Sequence, residues 1–552
     1  MPQTKSRAEQ VSAFARKASR SLLLYGKNRV LLSIIAKERV YLSCTWPLTA
    51  RVLRPKLAYG AAQLASRRKK SVPSYAHPLP ERIQNNIISM TLIKSIAGFR
   101  GTIGGETGDT LNPLDIVKSV TAFAMLRRPL VGQYENKIVV GRDARISGEM
   151  VSHCVCGALL GMGFDVVNIG LATTPTTELA ITAEHAAGGI IITASHNPRH
   201  WNALKFMDEN GEYIAPEIAH ELIALVDQTD KFVYADVDHV GHYYEKNDYN
   251  QYHIDLIKRL KLVDVDAIRK ANFRVCLDTV NSVGGIILPQ LLEQLGVKDV
   301  TILNGEPTGD FAHNPEPLKQ HLGEICGLMA KGGYDIGLVC DPDVDRLVFI
   351  QEDGEMYGEE YTLVTCADWV LQHTPGNTVS NLSSTRALHD VTRQYGGTYG
   401  TAPVGEVNVV MKMKEINAVV GGEGNGGVIY PEAHYGRDAL VGIGLMLTYM
   451  AKTGKKVSEI RKQFPEYFIS KSRIDLQPTT DVDAILEKVK EMYKDQEITD
   501  TDGVKIDFPT EWVHLRKSNT EPIIRVFSEA ATPEAAEALG KKIVEVVLAM
   551  AK

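Results

Sequence analysis

Three aspartates at alternate positions, Asp341, Asp343 and Asp345, stand between two apolar runs in the segment IGLVCDPDVDRLVFI. Carboxylates this close repel one another, and burying them without partners is costly. A hard cation removes that cost, because Mg²⁺ prefers oxygen ligands and its sites often keep a position for a substrate phosphate. A solvated acidic turn is the alternative, but the flanking apolar runs keep the carboxylates from all reaching water. The spacing therefore predicts a magnesium site.

Two other interpretations of this segment make different demands. An EF-hand calcium loop would match the aspartate spacing, with Glu352 at its twelfth position, but it needs a glycine where this chain has Arg346. A metal-dependent phosphatase of the haloacid-dehalogenase type also places aspartates after an apolar strand, and it would use Asp341 as its nucleophile. Arg346 excludes the first interpretation, and the second stays open.

Ser195 and His196 directly follow an apolar run in GIIITASHNPRHWNALKF, and Lys205 comes ten residues later. A hydrolase serine with His196 as its base is one interpretation. However, neighbours in an extended segment point to opposite faces, and the G-x-S-x-G turn is missing. A second interpretation makes Ser195, Asn197 and Pro198 turn formers only. A third makes Ser195 a phosphate carrier held on the metal, and it alone explains why the motifs below share one chain.

Gly422, Gly424 and Gly427 satisfy the dinucleotide pattern G-x-G-x-x-G after the apolar run INAVV. A dinucleotide fold requires these glycines to open a helix, but the strand-like segment VIYPE follows them here. The context argues against NAD. The sequence predicts instead a glycine loop that approaches other backbone closely and carries Glu423 and Asn425, polar groups suited to sugar hydroxyls.

Five polar residues lie between two predicted strands near the C-terminus: Arg516, Lys517, Ser518, Asn519 and Thr520. A guanidinium group, hydroxyls and backbone amides together form an anion cradle, for which a phosphate is the natural ligand. A polar hairpin turn is the plain alternative. The chain lacks G-x-x-x-x-G-K-[ST], so this is not a nucleotide P-loop.

From Met90 onward, short apolar strands alternate with helical patterns, which predicts parallel or mixed α/β sheets. Three such blocks follow one another. The C-terminal segment differs, because two strands, WVHLRKS and IIRVFSEA, precede a helix with Thr532 at its N-cap and Pro533 at its first position. Four units are predicted, as suits a chain of 552 residues. The buried stripe of the last helix is predicted to be Leu539, Ile543, Val546 and Met550.

The net charge of -6 hides a strong asymmetry along the chain. Residues 1–90 carry 17 Lys and Arg against 3 Glu, which leaves 44 basic against 64 acidic residues in the rest. Such a basic leader is compatible with an organellar transit peptide or with nucleic-acid or membrane binding. A start codon assigned too early is favoured, because recognisable domain sequence begins just after Met90.

Seven cysteines are scattered along the chain, and none forms C-x-x-C. This pattern predicts neither a zinc site nor a disulfide framework, and it favours a reducing, cytoplasmic location. No apolar run in the sequence reaches the length that spans a bilayer.

The four motifs TASHNP, DPDVDR, GEGNGG and RKSNTEP, in this order and spacing, resemble those of the α-D-phosphohexomutase family. The resemblance covers the chain from about Ser95 to the C-terminus. It implies three α/β mixed-sheet domains and a C-terminal α+β phosphate-binding domain around a central cleft. The expected limits are 1–89 for the leader, which is not expected to join the fold, and 90–243, 252–353, 354–465 and 466–552 for the four domains.

The resemblance also implies roles for residues around the transferred phosphate. Ser195 would be the phosphoserine and would ligate Mg²⁺ together with the three aspartates. Arg346 would lie close to the same phosphate. Arg100 and Lys205 match basic positions that assist proton transfer and charge stabilisation. The implied mechanism is two phosphoryl transfers through a sugar bisphosphate, which would also serve as activator.

The same resemblance implies how the sugar phosphate is held. Glu423 and Asn425 would bind sugar hydroxyls. Many family members have histidine where this chain has Gly427, so any acid–base role of that histidine falls to Lys205 or another group. The residues implied to bind the phosphate that is not transferred are Arg516, Ser518, Asn519 and Thr520.

The motif forms GEGNGG and SNTEP resemble the phosphoglucosamine branch, which favours conversion of glucosamine 6-phosphate to glucosamine 1-phosphate, an amino-sugar step towards cell-wall precursors. Phosphomannomutase or phosphoglucomutase activity is the nearest alternative. More distant alternatives are a metal-dependent sugar phosphatase and a catalytically silent sugar-phosphate-binding protein. The expected partner is a hexose phosphate, with no nucleic acid and no membrane, and the expected state is a monomer or homodimer.

Overall fold

A computed structural model describes residues 91–477, 480–517 and 523–550 of the chain. These residues form four sheets, each built from a consecutive stretch of sequence, so the sheets mark four successive domains. The predictions about the basic leader lie outside the described residues. Among the helices that the structure does describe, none is both long and apolar enough to cross a membrane.

The first domain contains seven strands and four helices. Its strands are β1 (Ile93–Ser95), β2 (Gly98–Thr102), β3 (Glu135–Arg142), β4 (Asp165–Leu171), β5 (Ala186–Ile192), β6 (Trp201–Met207) and β7 (Tyr243–Glu245). Its helices are α1 (Pro113–Arg127), α2 (Gly148–Gly161), α3 (Thr174–Ala183) and α4 (Pro216–Leu225).

These strands form a mixed sheet in the order β1-β2-β6-β5-β3-β4-β7. Strand β5 is buried along its whole length and pairs parallel with β3 and antiparallel with β6. A central strand of this kind carries the residues that follow it to the carboxyl edge of the sheet, where ligands bind in open α/β sheets. The segment with Ser195 begins there.

The second domain follows two connecting helices, α5 (Tyr249–Arg259) and α6 (Val265–Ala271). Its elements are β8 (Arg274–Asp278), α7 (Gly284–Leu295), β9 (Asp299–Leu303), α8 (Gly323–Met329), β10 (Ile336–Cys340) and β11 (Leu347–Ile350). The sheet order is β11-β10-β8-β9, and β10 pairs antiparallel with β11. The three aspartates occupy the turn of that hairpin, so the prediction that they stand between two buried strands is confirmed.

The third domain again combines strands with helices. Its elements are α9 (Glu359–His373), β12 (Asn377–Asn381), α10 (Ala387–Gln394), β13 (Tyr399–Ala402), α11 (Glu406–Glu415), β14 (Ala418–Glu423), β15 (Gly427–Ile429), α12 (Ala439–Thr453) and α13 (Val457–Arg461). The sheet order is β13-β12-β14-β15. Side chains from the second and third domains share one continuous apolar core, which includes Leu277, Val364 and Leu445.

The fourth domain has a different architecture, as the sequence predicts. Its elements are β16 (Phe468–Asp475), α14 (Val482–Met492), β17 (Glu497–Thr499), β18 (Val504–Asp507), β19 (Trp512–Lys517), β20 (Ile523–Ala530) and α15 (Pro533–Met550). The five strands pair antiparallel in the order β16-β20-β19-β18-β17. The four-domain α/β fold predicted from the sequence is therefore confirmed.

The last helix confirms one detail of the sequence prediction and corrects another. Thr532 caps α15, because its side-chain oxygen accepts a hydrogen bond of 3.2 Å from the backbone N–H of Ala535. The predicted buried stripe is wrong at one position: Val547 lies fully in the core, whereas Val546 is partly exposed. Leu539, Ile543 and Val547 repeat every four residues, so the buried face follows this spacing towards the end of the helix.

Candidate active site

One cleft of about 390 Å³ is lined by side chains from all four domains. Its lining includes most of the predicted site residues, among them Arg100, Ser195, Lys205, Arg346, Glu423, Asn425 and Arg516. A larger cavity of about 810 Å³ in the first domain, between Met125 and His242, contains none of them. We therefore take the four-domain cleft as the candidate active site.

Ser195 lies just beyond the end of β5 with a left-handed backbone conformation, φ 46°. Few residues other than glycine adopt this conformation, and such strain is often found at functional sites. The residue is 7% exposed, and its Oγ donates a hydrogen bond of 2.7 Å to Asp341 Oδ2. The first and second domains thus bring the predicted phosphate carrier and the predicted metal loop into direct contact.

The interpretation of His196 needs a correction. The sequence argument placed Ser195 and His196 on opposite faces of an extended segment. Because Ser195 is left-handed, the His196 ring instead turns back, and its Nδ1 lies 3.3 Å from Ser195 Oγ. The positive charge of Arg346, and then burial, lower the pKa of His196 well below its ordinary value. A neutral imidazole therefore stands beside the serine.

The aspartate loop is fully buried and fixed from several sides. Asp341, Asp343 and Asp345 each have no exposed surface, and one carboxylate oxygen from each lies within 4.8 Å of the others. Val344 between them has a positive φ of 62°. Thr174 in the first domain donates its hydroxyl to Asp343 Oδ2 at 2.7 Å, so the loop is also tied across the domain boundary.

Basic groups surround the three carboxylates. Lys205 Nζ donates to Asp343 Oδ2 at 2.7 Å, and Arg346 Nε lies 4.0 Å from Asp341 Oδ2 and 3.9 Å from Asp345 Oδ1. Burial, and then the charges of Asp345 and Asp343, raise the pKa of Asp341 well above its usual value. Burial also opposes ionisation of Asp343, but the Lys205 ammonium outweighs it and lowers the pKa of Asp343.

The donor set fits a magnesium ion. Asp343 Oδ1 and Asp345 Oδ1 are buried and accept no hydrogen bond from any described residue. Unsatisfied buried carboxylate oxygens are costly, and a divalent cation would satisfy both together with Asp341 Oδ2. The residues present are therefore suited to a hard, oxygen-binding metal.

The glycine loop forms a tight hairpin between β14 and β15. The two strands pair antiparallel, which confirms that a strand and not a helix follows the loop. Gly426 has φ 92°, and a β-carbon there would lie 2.5 Å from the carbonyl oxygen of Leu347, so a close approach to other backbone is confirmed. Glu423 Oε1 accepts hydrogen bonds from Asn381 at 2.8 Å and from the backbone N–H of Gly405 at 3.0 Å. Asn425 lies at the cleft beside it.

The lining of the cleft also includes a group of arginines from the first and fourth domains. Arg516 on β19 lies directly opposite Arg525 on β20, a pairing of like charges that destabilises a sheet unless an anion is present. Burial, and then the charge of Arg525, lower the pKa of Arg100, which belongs to the first domain. Arg516 is held by Asp502, with Nε 2.7 Å from Oδ2. The predicted residues Ser518, Asn519 and Thr520 lie outside the described residues.

Comparison with protein families identifies this arrangement. Four successive segments match the descriptions of the phosphoglucomutase/phosphomannomutase domains: alpha/beta/alpha domain I over residues 93–232, domain II over 251–354, domain III over 358–468 and the C-terminal domain over 474–546. The chain belongs to the phosphoglucomutase/phosphomannomutase family. It is therefore a mutase, an isomerase that moves a phosphoryl group within a sugar phosphate.

The similarity of this phosphohexomutase to individual relatives extends over nearly the whole length of each relative. The chain is 37% identical to a phosphoglucomutase/phosphomannomutase of Thermococcus kodakarensis over 81% of this chain and 98% of the relative. It is 32% identical to a phosphoglucosamine/phosphogalactosamine mutase of Sulfurisphaera tokodaii, with coverage of 81% and 98%. A crystal structure of a putative phosphomannomutase from Thermus thermophilus superposes with TM-score 0.69 at 26% identity, covering 83% of this chain and 100% of that one.

Sequence reasoning missed three arginines of this phosphohexomutase. Arg145 is buried and donates to four backbone carbonyls of the serine loop, those of Ser195, Asn197, Pro198 and Trp201, at 2.5 to 2.9 Å. Arg437 is buried in the third domain at the cleft, and Arg525 faces Arg516. Their partners are distant in sequence, so no local pattern marks them. Only Arg525, the second arginine of RKSNTEPIIRV, could have been found by extending the predicted anion loop into its next strand.

Proposed function

We propose that this mutase converts glucosamine 6-phosphate and glucosamine 1-phosphate into one another through a phosphorylated Ser195. The observation that carries the proposal is the hydrogen bond from Ser195 Oγ to Asp341 in a cleft that Arg516 and Arg525 also line. A phosphoryl donor and a separate anion site in one cleft suit a substrate that carries a phosphate on each side of a sugar ring in turn.

Ser195, Asp341, Asp343 and Asp345 are the proposed ligands of Mg²⁺. A bound Mg²⁺ supplies positive charge that neutralises phosphoryl oxygens. The protein contributes fixed cations beside the same position. Lys205 as an ammonium group and Arg346 as a guanidinium group are held on the aspartates, so they need no reorganisation as charge develops on the phosphoryl oxygens.

In the first transfer, the bond from phosphorus to Ser195 Oγ breaks and a bond from phosphorus to a sugar hydroxyl oxygen forms. The sugar hydroxyl loses its proton and Ser195 Oγ gains one. In the structure the Ser195 hydroxyl donates a hydrogen bond to Asp341 Oδ2. The sugar bisphosphate then turns over, and its other phosphate returns to Ser195, which releases the isomer.

The arginine pair of the fourth domain is proposed to hold the phosphate that is not being transferred. Arg516 and Arg525 are already aligned across adjacent strands, whereas Arg100 stays proposed, with Lys205, to assist proton transfer and charge stabilisation. Ser518, Asn519 and Thr520 stay proposed ligands from the sequence resemblance. Because both ends of the substrate carry phosphate in turn, the same cluster serves both halves of the reaction.

Sugar recognition is proposed for Glu423 and Asn425, which line the cleft. The Glu423 carboxylate would favour the positively charged amino group of glucosamine. Several relatives at 30–33% identity, such as that of Methanopyrus kandleri, carry the name probable phosphoglucosamine mutase. Glucose or mannose phosphate is the second candidate, favoured by the 37% identical phosphoglucomutase/phosphomannomutase of Thermococcus kodakarensis.

We also propose that a sugar bisphosphate activates the enzyme by phosphorylating Ser195. A cytoplasmic location and a monomeric or homodimeric state complete the proposal.

One experiment tests the proposal directly. The purified chain is assayed with Mg²⁺ and catalytic amounts of the matching bisphosphate on glucosamine, mannose and glucose phosphates side by side. Conversion of glucosamine phosphate at the highest kcat/KM supports the proposed substrate, and faster conversion of either other sugar replaces it. Peptide mapping after incubation with bisphosphate should find phosphate on Ser195. Phosphate on Asp341 and none on Ser195 would overturn the mechanism.

A further inference from the structure

Arg437 joins three carboxylates inside the cleft. Its side chain is buried, with 7% of the residue exposed, and every guanidinium nitrogen donates a hydrogen bond. Nη2 bonds Asp345 Oδ2 at 2.5 Å, Nη1 bonds Glu423 Oε2 at 2.7 Å, and Nε bonds Glu406 Oε2 at 3.0 Å. The Arg437 backbone N–H also donates to Glu406 Oε1, at 2.9 Å. A planar guanidinium with this many fixed bonds has one orientation.

The three carboxylates belong to segments with different proposed tasks. Asp345 belongs to the proposed metal loop of the second domain, and Glu423 belongs to the proposed sugar loop of the third. Glu406 is the first residue of α11, beside Gly405, whose N–H also bonds Glu423. Arg437 is therefore a direct link between the two loops whose relative position determines where the sugar lies against the phosphoryl group.

The link with Asp345 also decides which oxygen of that residue is free. Arg437 takes Oδ2, while Oδ1 has no hydrogen-bond partner among the described residues. A carboxylate tethered through one oxygen presents the other in a fixed direction. Glu423 is constrained in the same way, since Arg437 holds Oε2 while Asn381 and the Gly405 N–H hold Oε1.

Gly427 shows that the chain keeps space for this arginine. A β-carbon on Gly427 would overlap the Cδ of Arg437. The Gly427 backbone is not in the left-handed region that favours glycine, so the requirement for glycine there comes from the space that Arg437 occupies. Gly427 and Arg437 are ten residues apart in sequence. The Arg437 side chain occupies the space that a side chain at position 427 would need.

We propose that Arg437 is a positioning residue for phosphoryl transfer, which fixes the position of Asp345 relative to Glu423. We also propose that residue 427 is glycine because a side chain there would displace Arg437. The inference rests on the metal and sugar roles proposed above for those two carboxylates. It does not depend on which sugar is the substrate, because Arg437 fixes the relative position of two loops of the protein itself.

The test uses three variants of the full-length enzyme. Arg437→Met removes the guanidinium but keeps much of its volume. Arg437→Lys keeps one charge that can reach one or two of the three carboxylates. Gly427→Ala keeps every charge and displaces the Arg437 side chain. Arg127→Met is the matched control, since Arg127 is also a buried arginine in an ion pair, with Glu209 at 3.3 Å, but does not line the cleft.

Each variant is assayed on whichever hexose phosphate the wild type converts fastest, and Mn²⁺ binding is measured by electron paramagnetic resonance. Misplacement of reacting groups by about 1 Å costs about 100-fold in rate, so we expect kcat to fall about 100-fold in Arg437→Met. We expect a smaller loss in Arg437→Lys and in Gly427→Ala. KM should change less than about threefold, because the arginine cluster that anchors phosphate is untouched.

Mn²⁺ binding separates positioning from a merely structural role. Removing a cation beside Asp345 leaves the loop more negative, so Arg437→Met should bind Mn²⁺ as tightly as the wild type or more tightly while its kcat falls. The inference is overturned if kcat stays within threefold of wild type, or if kcat and Mn²⁺ binding are lost together. If Arg437→Met does not fold, Gly427→Ala decides by the same criteria. An inactive wild type would instead refute the proposed function, and the two failures are distinguishable.

Discussion

Ser195 Oγ and Asp341 Oδ2 lie 2.7 Å apart although 146 positions separate the two residues in the chain. The contact joins the end of β5 in the first domain to the turn between β10 and β11 in the second. It places the one hydroxyl that the proposed mechanism phosphorylates on the buried carboxylate cluster, and this relationship leads to the first prediction.

Substitution of Ser195 should separate activity from stability. Ser195→Ala and Ser195→Gly both remove the hydroxyl, so each should lower turnover more than 1000-fold, an order of magnitude typical for loss of a group that forms a covalent intermediate. Ser195→Gly should also unfold at a higher denaturant concentration than Ser195→Ala, because glycine relieves about 1 kcal/mol of strain at φ 46°.

The control for both variants is Ser119→Ala, which removes another buried hydroxyl, one that donates to the Asp115 carbonyl inside α1. It should retain full turnover. Phosphate uptake from the sugar bisphosphate, followed by intact mass, should be seen in wild type and Ser119→Ala only. Substantial turnover by Ser195→Gly would contradict the assignment of Ser195 as phosphate carrier.

Lys205 and Asp343 should be energetically coupled. Asp343→Asn removes the nearest partner of the buried Lys205 ammonium, at 2.7 Å, and leaves it only Asp345 at 3.8 Å; breaking one side of a buried ion pair costs about 3 to 5 kcal/mol. The double variant Asp343→Asn with Lys205→Met should recover part of that loss, because the ammonium that lost its nearest partner is removed as well. Denaturant unfolding of the two single variants and the double variant gives the coupling energy, and strictly additive losses would show that the pair is not coupled.

The sequence was informative where the site depends on local spacing. The three aspartates and the serine could be predicted, because each follows directly on a strand that its own neighbours define. Arg437 could not, since its role depends on Glu423, which meets it only in the folded third domain, and on Asp345, which meets it only when the second and third domains pack together. The side of Ser195 on which His196 lies also escaped prediction, because a single left-handed residue reverses the alternation expected of an extended chain.

His514 should make the junction of the third and fourth domains sensitive to acid. Its Nδ1 lies 2.9 Å from Ser383 Oγ and its Nε2 lies 2.7 Å from the Asp502 carbonyl oxygen. Burial lowers the pKa of His514 to about 4. The unfolded value is about 6.5, so the folded state favours the neutral ring, and stability is lost as the pH falls from about 6.5 towards 4.

The full loss for His514 would be about 3 kcal/mol, from a difference of about 2.5 pKa units. Calorimetric melting temperatures at pH 7 and pH 4.5 measure it in wild type and in His514→Gln, which does not titrate. The variant should be less stable at pH 7 and should lose less on acidification. Equal losses in both proteins would contradict the prediction.

His434 should act in the opposite direction, at alkaline pH. Its Nδ1 lies 3.1 Å from Glu178 Oε2 in the first domain, and its Nε2 lies 3.2 Å from Asp438 Oδ2. Burial opposes protonation, but these two carboxylates outweigh it and raise the pKa of His434 to about 10. A folded pKa above the unfolded value of about 6.5 means that the contribution is complete below pH 6.5 and is lost as the pH rises through about 10.

The alkaline loss should disappear in a variant that cannot carry the charge. His434→Gln keeps a hydrogen-bonding group between Glu178 and Asp438 but leaves both carboxylates without the imidazolium, so we expect it to be less stable than wild type at pH 6.5. Between pH 6.5 and pH 10 its melting temperature should fall less than that of the wild type, and the two curves should converge. Parallel curves over this range would mean that His434 is neutral in the folded enzyme. The contact of His434 with Glu178, which joins the third domain to the first, would then be a neutral hydrogen bond.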